Sequence, residues 1–267
     1  MALKSNSAAW DDQTPRDPLE YAVSVRDRDV LTMVRTALAT DNCQLAMQPV
    51  CTSKSGYPVA FYECLIRVMD ETGRVIPAAQ FMGEIEETSL GRDIDAASLK
   101  LAFRLLKQNP TTRLSVNVSA RSLGDAAWRR VLDGELASSA LHADRLILEI
   151  SEDSAMQLPE VVIRFMEEMQ PHGLAFALDD FGAGMTAFRH LKDFFFDLVK
   201  VDSHFTRNID KDPDNQVLAE ALITVAHQFE MFAVAEGVES QAEADFLISI
   251  GADCVQGYHF GVPEFSV

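Results

Sequence analysis

Basic clusters are missing from this chain. It carries 23 Lys and Arg against 41 Asp and Glu in 267 residues, for a net charge of −18. No run of Lys or Arg and no basic amphipathic helix stands out. A nucleic-acid polymer or an anionic membrane is therefore a poor partner, because binding either one rests on neutralising phosphate charge. A small anionic substrate fits only where metal ions reverse the local field. Cysteine is scarce as well. Cys43, Cys51, Cys64 and Cys254 form no CxxC pair and no zinc-ligand spacing, so reduced thiols and a cytoplasmic location are expected. No apolar run approaches the roughly 18–20 residues of a membrane span. The N-terminal stretch MALKSNSAAWDDQTPRDP has no apolar core of the kind a secretory signal needs. Histidine is thin too, with six in the chain.

What is present is a series of short, mostly apolar runs that end in residues able to bind metal or phosphate. The runs QLAMQPV, AFYECLIR, LSVNVS, LILEISE, LAFALDD, DLVKVD, FAVAEGVE and CVQGY deliver Gln48, Glu63, Asn117, Glu149, Asp179 with Asp180, Lys200, Glu236 and Gln256. Helix-like sequence separates most of them. A helix is expected from Arg26 to Ala39, another around Leu99, Ala102, Phe103 and Leu106, and another from Pro159 to Gln170 with Gly173 beyond it. A further helix carries Val217, Leu218, Ala221, Leu222, Val225 and Phe229, and the last opens with Ser240 and Glu243 as a capping box. Strands alternating with helices predict an α/β fold, a TIM-like (β/α)8 barrel in which one strand could run antiparallel, with the active site at the C-terminal ends of the strands. A polar tail is expected over residues 1–25 and one barrel domain over residues 26–267.

Glu63, Glu149, Asp179, Asp180 and Glu236 are hard oxygen donors, and Asn117 is a neutral one. Such a set suits Mg²⁺ or Mn²⁺ rather than zinc. Five carboxylates at one barrel mouth cannot all stay charged without divalent metal. The adjacent Asp179 and Asp180 are apt for two ions, and Lys200 is the single cation in the set. Two ions, a water and a positive side chain make a phosphodiester hydrolase. Taken singly, each piece also has a plain reading: an acidic turn before glycine, an exposed strand end, or an asparagine capping a helix. The joint pattern is what points to chemistry.

In order along the chain stand YECLIR, NVS, EISE, DDFGAG, KVD, EGVE and QGY. With these the chain resembles the EAL-domain family of cyclic di-GMP phosphodiesterases from about Asp29 to Pro263. The resemblance implies roles. Glu63, Asn117, Glu149 and Asp179 would ligate a first metal, and Asp179 with Asp180 a second. Lys200 would contact the attacking water, Glu236 would be a further essential carboxylate, and Gln256 would support the water or metal site. Glu152 would anchor the loop after DDFG. Gln48, Leu65 and Arg67 would contact substrate, and Asp202 would support the site from the strand end. Homodimerisation is implied, as is inhibition by Ca²⁺.

The chain departs from the family pattern in four places. Cys64 stands where Ala is usual, Met185-Thr186-Ala187 replaces Tyr-Ser-Ser, Val262 stands where Lys or Arg is common, and Ser89 replaces Gly. The function expected is hydrolysis of one 3′–5′ phosphodiester bond of cyclic di-GMP to linear pGpG, lowering this bacterial second messenger. The rival is a catalytically weak receptor or interaction module that binds cyclic di-GMP, and regulation could come from a separate protein. A glycerophosphodiester hydrolase would need acid/base histidines. His190, His204, His227 and His259 do not sit at the strand ends named above, so structural or surface roles are expected for them. Phe194-Phe195-Phe196 is expected to pack in the core or at a subunit contact.

Overall fold

The computed structural model describes residues 30–138, 140–184 and 191–265. Helix α1 covers residues 30–39. It is followed by β1 (Cys43–Thr52), β2 (Val59–Met69), β3 (Val75–Ile76), α2 (Met82–Ile85) and α3 (Ser89–Gln108). Next come β4 (Leu114–Asn117), α4 (Ala126–Ser138), β5 (Leu146–Ser151), α5 (Glu152–Gln157), α6 (Pro159–Met169) and β6 (Ala175–Phe181). The chain continues with β7 (Leu198–Val201), α7 (Ser203–Thr206), α8 (Pro213–Gln228), β8 (Phe232–Ala235), α9 (Gln241–Ser249) and β9 (Cys254–Gln256). The expected tail, the first residues of the helix expected from Arg26, the Met185-Thr186-Ala187 loop and His190 lie outside the described residues.

Eight strands close into a barrel in the order β1, β2, β4, β5, β6, β7, β8, β9, and β3 lies outside the ring, paired with β2. From β2 through β9 the neighbours in the ring are parallel. Strand β1 runs antiparallel to both of its neighbours, β2 and β9. This is the expected barrel with its one reversed strand.

The helices follow local rules. Thr88 caps α3 by accepting from Leu90 N, and α3 buries Ile94, Leu99, Ala102, Phe103 and Leu106. Helix α6 starts with Pro159 and buries Val162, Phe165, Met166 and Met169, the stripe its sequence spaces for a core face. The Ser240–Glu243 capping box opens α9. Helix α8 forms where the sequence predicts a helix, and the packing selects its buried face. Val217, Leu218 and Phe229 are 67%, 48% and 39% exposed, and the buried stripe is Ala219, Leu222, Ile223 and Ala226. That stripe keeps i, i+3, i+4, i+7 spacing, and its alanines let the helix lie close on the sheet. The Phe run splits as an extended segment would, with Phe194 and Phe196 buried and Phe195 exposed.

Arg145 ties two layers together. Its guanidinium donates to Asn109 O at 2.7 Å, Thr112 O at 3.0 Å and Leu106 O at 3.0 Å. It thereby satisfies carbonyls left open at the end of α3. Among the described residues no helix is long and apolar enough to cross a membrane.

Candidate active site

The barrel has an apolar floor made by Val50, Phe61, Ile147, Ala177, Leu198 and Val234. Side chains two apart on a strand share a face. Glu63, Glu149, Asp179, Lys200 and Glu236 each stand two residues beyond one of these floor residues, so each points to the same side one layer higher. Gln256 stands two beyond Cys254, which packs against the floor. Gln48 stands two residues before Val50. Because β1 is reversed, this raises Gln48 to the polar layer, where it pairs in register with Glu63. The expectation that every reactive residue ends its strand is corrected here. Gln48 and Glu63 lie inside long strands and reach the layer by register.

Asp179 and Asp180 would point to opposite faces of a regular strand. The β6–β7 pairing passes from Leu178↔Val199 to Phe181↔Val201, so the two aspartates stand opposite the single Lys200. This is a β-bulge, which re-aims a side chain. Asp180 takes φ 55° within it. One oxygen each of Asp179, Asp180 and Glu236 consequently lie within 4.8 Å of one another.

Lys200, 1% exposed, is the centre of the layer. Its Nζ lies 2.7 Å from Glu236 Oε1, 2.9 Å from Glu149 Oε2, 3.2 Å from Asp179 Oδ1 and 3.3 Å from Glu63 Oε2. Glu63 is also held by Gln256 Nε2 at 2.5 Å and Asn117 Nδ2 at 3.2 Å. Gln256 Nε2 reaches Gln48 Oε1 at 3.3 Å, and Gln48 donates to Gly261 O at 3.1 Å. The register of Gln256 is locked by Val238, whose N–H donates to the Gln256 carbonyl. A Cβ on Gly257 would overlap the Val238 backbone, so glycine is required there.

The electrostatics follow from burial and from one cation facing several anions. Burial pushes Glu149 up to about 8, with Glu63 and Asp179 adding to the rise against the pull of Lys200. Burial and then the neighbouring Asp179 and Asp202 push Asp180 up to about 6. Burial also drives Glu236 well above the carboxylate range despite Lys200. Glu63 goes the other way. Burial opposes its charge, but Lys200 and the Gln256 and Asn117 hydrogen bonds outweigh it and hold the carboxyl below its ordinary value. For Lys200, burial is overcome by Asp179, Glu149, Glu236 and Glu63, which hold it well above the usual lysine value.

The donor set fits a hard divalent cation: carboxylate and amide oxygens, with no His or Cys among them. Glu149 Oε1 and Gln256 Oε1 are buried without a hydrogen-bond partner, acceptors that a metal or its water would satisfy.

The remaining site residues are spread around this layer. Leu65 and Arg67 follow Glu63 on the same face of β2 and line a cavity of about 280 Å³ with Asn117, Glu149, Asp179 and Asp180. Glu152 is buried, and its Oε2 accepts from Gly182 N at 2.9 Å, just beyond the end of β6. Gly182 has φ 95°, a conformation glycine alone adopts freely. Asp202 caps α7 and lines a neighbouring cavity of about 450 Å³ with Glu152, Asp180 and His204. His204 is a rim residue whose Nδ1 lies 2.5 Å from Asp202 Oδ1. Gln48 is buried among Gln256 and Gly261 and lines neither cavity. Sequence reasoning passed over Asp95, which lines the 280 Å³ cavity from α3. Its Oδ2 accepts from Ser119 N at 3.0 Å and Ser122 Oγ at 2.6 Å. A single aspartate inside a helical run gives no signal by itself; the loop it grips follows Asn117 by two residues.

Known proteins resemble this chain in sequence and in fold. The EAL domain family matches residues 32–263. The cyclic di-GMP phosphodiesterase NbdA of Pseudomonas aeruginosa is 30% identical over 235 residues, 86% of this chain and 30% of that protein. The cyclic di-GMP phosphodiesterase PdeF of Escherichia coli is 26% identical over 239 residues, 88% of this chain and 32% of that protein. The chain thus spans about a third of the length of these curated relatives. Among solved structures, the PaMucR phosphodiesterase in complex with c-di-GMP superposes with a TM-score of 0.79 at 27% identity, covering 88% of this chain and 97% of that one. The FimX EAL domain of Pseudomonas aeruginosa bound to c-di-GMP gives 0.80 at 26% identity, covering 89% and 97%.

Proposed function

Because the chain belongs to the EAL domain family, we propose that it hydrolyses one 3′–5′ phosphodiester bond of cyclic di-GMP to give linear pGpG. The observation that carries this reading is the buried layer in which Lys200 faces Glu63, Glu149, Asp179 and Glu236. Glu63, Asn117, Glu149 and Asp179 would hold one Mg²⁺ or Mn²⁺, and Asp179 with Asp180 a second. When bound, such ions would supply polarisation of the phosphoryl oxygens and a lowered pKa for a water.

The chain's own residues do the rest. Lys200 orients the water and offsets charge on the phosphoryl group. The water adds its oxygen to phosphorus and gives up a proton to solvent, the P–O3′ bond breaks, and the 3′-oxygen takes up a proton from solvent and departs as a hydroxyl. Gln256 and Asn117 keep the Glu63 carboxylate charged and aimed. Arg67 and Leu65 line the 280 Å³ cavity, where Arg67 would meet a phosphate and Leu65 would give an apolar contact. Glu152 would hold the backbone at Gly182, two residues beyond Asp180. Homodimers and a cytoplasmic location accord with this role, and Ca²⁺ would inhibit because its larger, looser shell positions the water poorly.

Binding without turnover is the rival, since the FimX domain is described as bound to c-di-GMP. The complete set of oxygen donors favours hydrolysis. Purified protein, cyclic di-GMP and Mn²⁺, resolved by chromatography, separate the two. Conversion to pGpG that disappears in Glu63→Ala is the expected result. Tight nucleotide binding without product would establish a receptor instead.

A further inference from the structure

We propose that Ser115 is a positioning residue for Glu149, its buried hydroxyl aiming that carboxylate for the ion. This rests on the two-metal reading and adds a residue to it. Ser115 is fully buried in β4, two residues before Asn117, so both side chains belong to the barrel interior. Its neighbours Leu114 and Val116 face the other way, into the core shared by strands and helices. Ser115 pairs in register with Glu63 on β2 and with Ile147 on β5, two residues before Glu149. It therefore stands between the strands that carry two of the proposed ligands, on the same face as both. The floor residues on those strands, Phe61 and Ile147, are apolar. Packing alone gives no reason for a hydroxyl beside them.

A buried hydroxyl without a partner destabilises a fold. Among the described residues Ser115 Oγ makes no hydrogen bond, and neither does Glu149 Oε1. One is an unused donor and the other an unused acceptor. The competing oxygens are taken. Glu63 Oε1 accepts from Asn117, Glu63 Oε2 from Gln256, and Glu149 Oε2 from Lys200. Ser115 is already near enough to Glu149 to favour its charged form against the effect of burial. A hydroxyl hydrogen rotates to suit its acceptor, and an ionised carboxylate offers about four lone-pair sites. Ser115 and Lys200 can thus hold Glu149 from two sides and still leave a lone pair for an ion. Lys200 keeps its place in the layer, and the ion meets a ligand whose orientation is already set.

Calorimetric titration of Mn²⁺ into the wild type and Ser115→Ala, without nucleotide, tests this, together with thermal melting of both in chelator. The substitution removes one oxygen and adds no bulk, so the barrel keeps its packing. Mn²⁺ binding should weaken by about tenfold. The melting temperature in chelator should equal or exceed that of wild type, because the lost hydroxyl had no partner there. Half-maximal turnover should need about tenfold more Mn²⁺, with the KM for cyclic di-GMP at saturating Mn²⁺ unchanged. Unchanged or tighter Mn²⁺ binding overturns the proposal. Weaker binding with a lower melting temperature in chelator also overturns it, since that is the mark of a packing role. A shifted KM at saturating Mn²⁺ would place the hydroxyl on substrate and overturn it too. Failure of the wild type to bind any divalent ion would instead remove the two-metal reading on which the proposal stands.

Discussion

Gln256 Nε2 donates to Glu63 Oε2 at 2.5 Å, joining β9 to β2 across the reversed strand β1. The bond closes the carboxylate layer at the seam where the first and last strands of the ring meet. With Asn117 on the other oxygen, it helps hold Glu63 charged against its burial.

Gln256→Ala should therefore cost activity through Glu63 while leaving the barrel folded. A loss of about 10–100-fold in kcat/KM or in Mn²⁺ affinity is expected, the range for a group that orients a metal ligand. Steady-state kinetics and calorimetry check it. Wild-type values in the variant would mean that Asn117 and Lys200 suffice to hold Glu63.

Glu152 grips the Gly182 amide, two residues beyond Asp180. Glu152→Ala should free the loop after β6 and reduce turnover by about 10–100-fold. Glu152→Gln keeps an oxygen acceptor and should retain most of the activity. Equal damage from both variants would show that charge, not the hydrogen bond, matters at this position.

Asp95 sets a pH dependence of stability. Burial raises it from 3.8 to about 6, although Ser122 and Ser119 donate to it. A folded-state value above the unfolded one means the native state prefers the protonated acid. The favourable contribution is full below about pH 4 and is lost as the pH rises through about 6. Asp95→Asn, which keeps an acceptor for both serines, should remove this loss. The variant's melting temperature relative to wild type should rise between pH 4 and pH 7. Parallel melting curves for the two proteins across that range would contradict it.

Arg145 bonds three carbonyls near the end of α3. Arg145→Ala leaves these acceptors without their charged donor and should destabilise the fold by about 2–4 kcal/mol. Urea unfolding measures this directly. Arg145 precedes β5, at the end of that strand opposite the reactive layer. The kcat of the folded fraction should therefore stay near wild type.

Much of the site is legible in the sequence alone. Each reactive residue ends or interrupts an apolar run, and for Glu63, Glu149, Asp179, Lys200 and Glu236 period-two alternation leads from floor to polar layer. Helix caps and stops are legible at α6 and α9, because Pro159, Gly173, Ser240 and Glu243 act through local backbone chemistry. The face of α8 is not. Val217, Leu218 and Phe229 are apolar enough to mimic a core stripe, but which stripe is buried depends on the surface opposite. Asp95 is equally silent, because its partners Ser119 and Ser122 lie on another element.

The sequence by itself determined the alternation of strands and helices, the identity of the oxygen donors and their order along the chain, since these depend on neighbours within a turn or a strand. Only the tertiary structure decided that β1 would run backwards, lifting Gln48 level with Glu63. Only it placed Asp179 and Asp180 on a bulge opposite Lys200, so that two adjacent side chains turn into one site instead of opposite faces. Reversal and bulge are both matters of register between strands distant in sequence. Register is set by closing the ring and filling its floor, which no local pattern encodes.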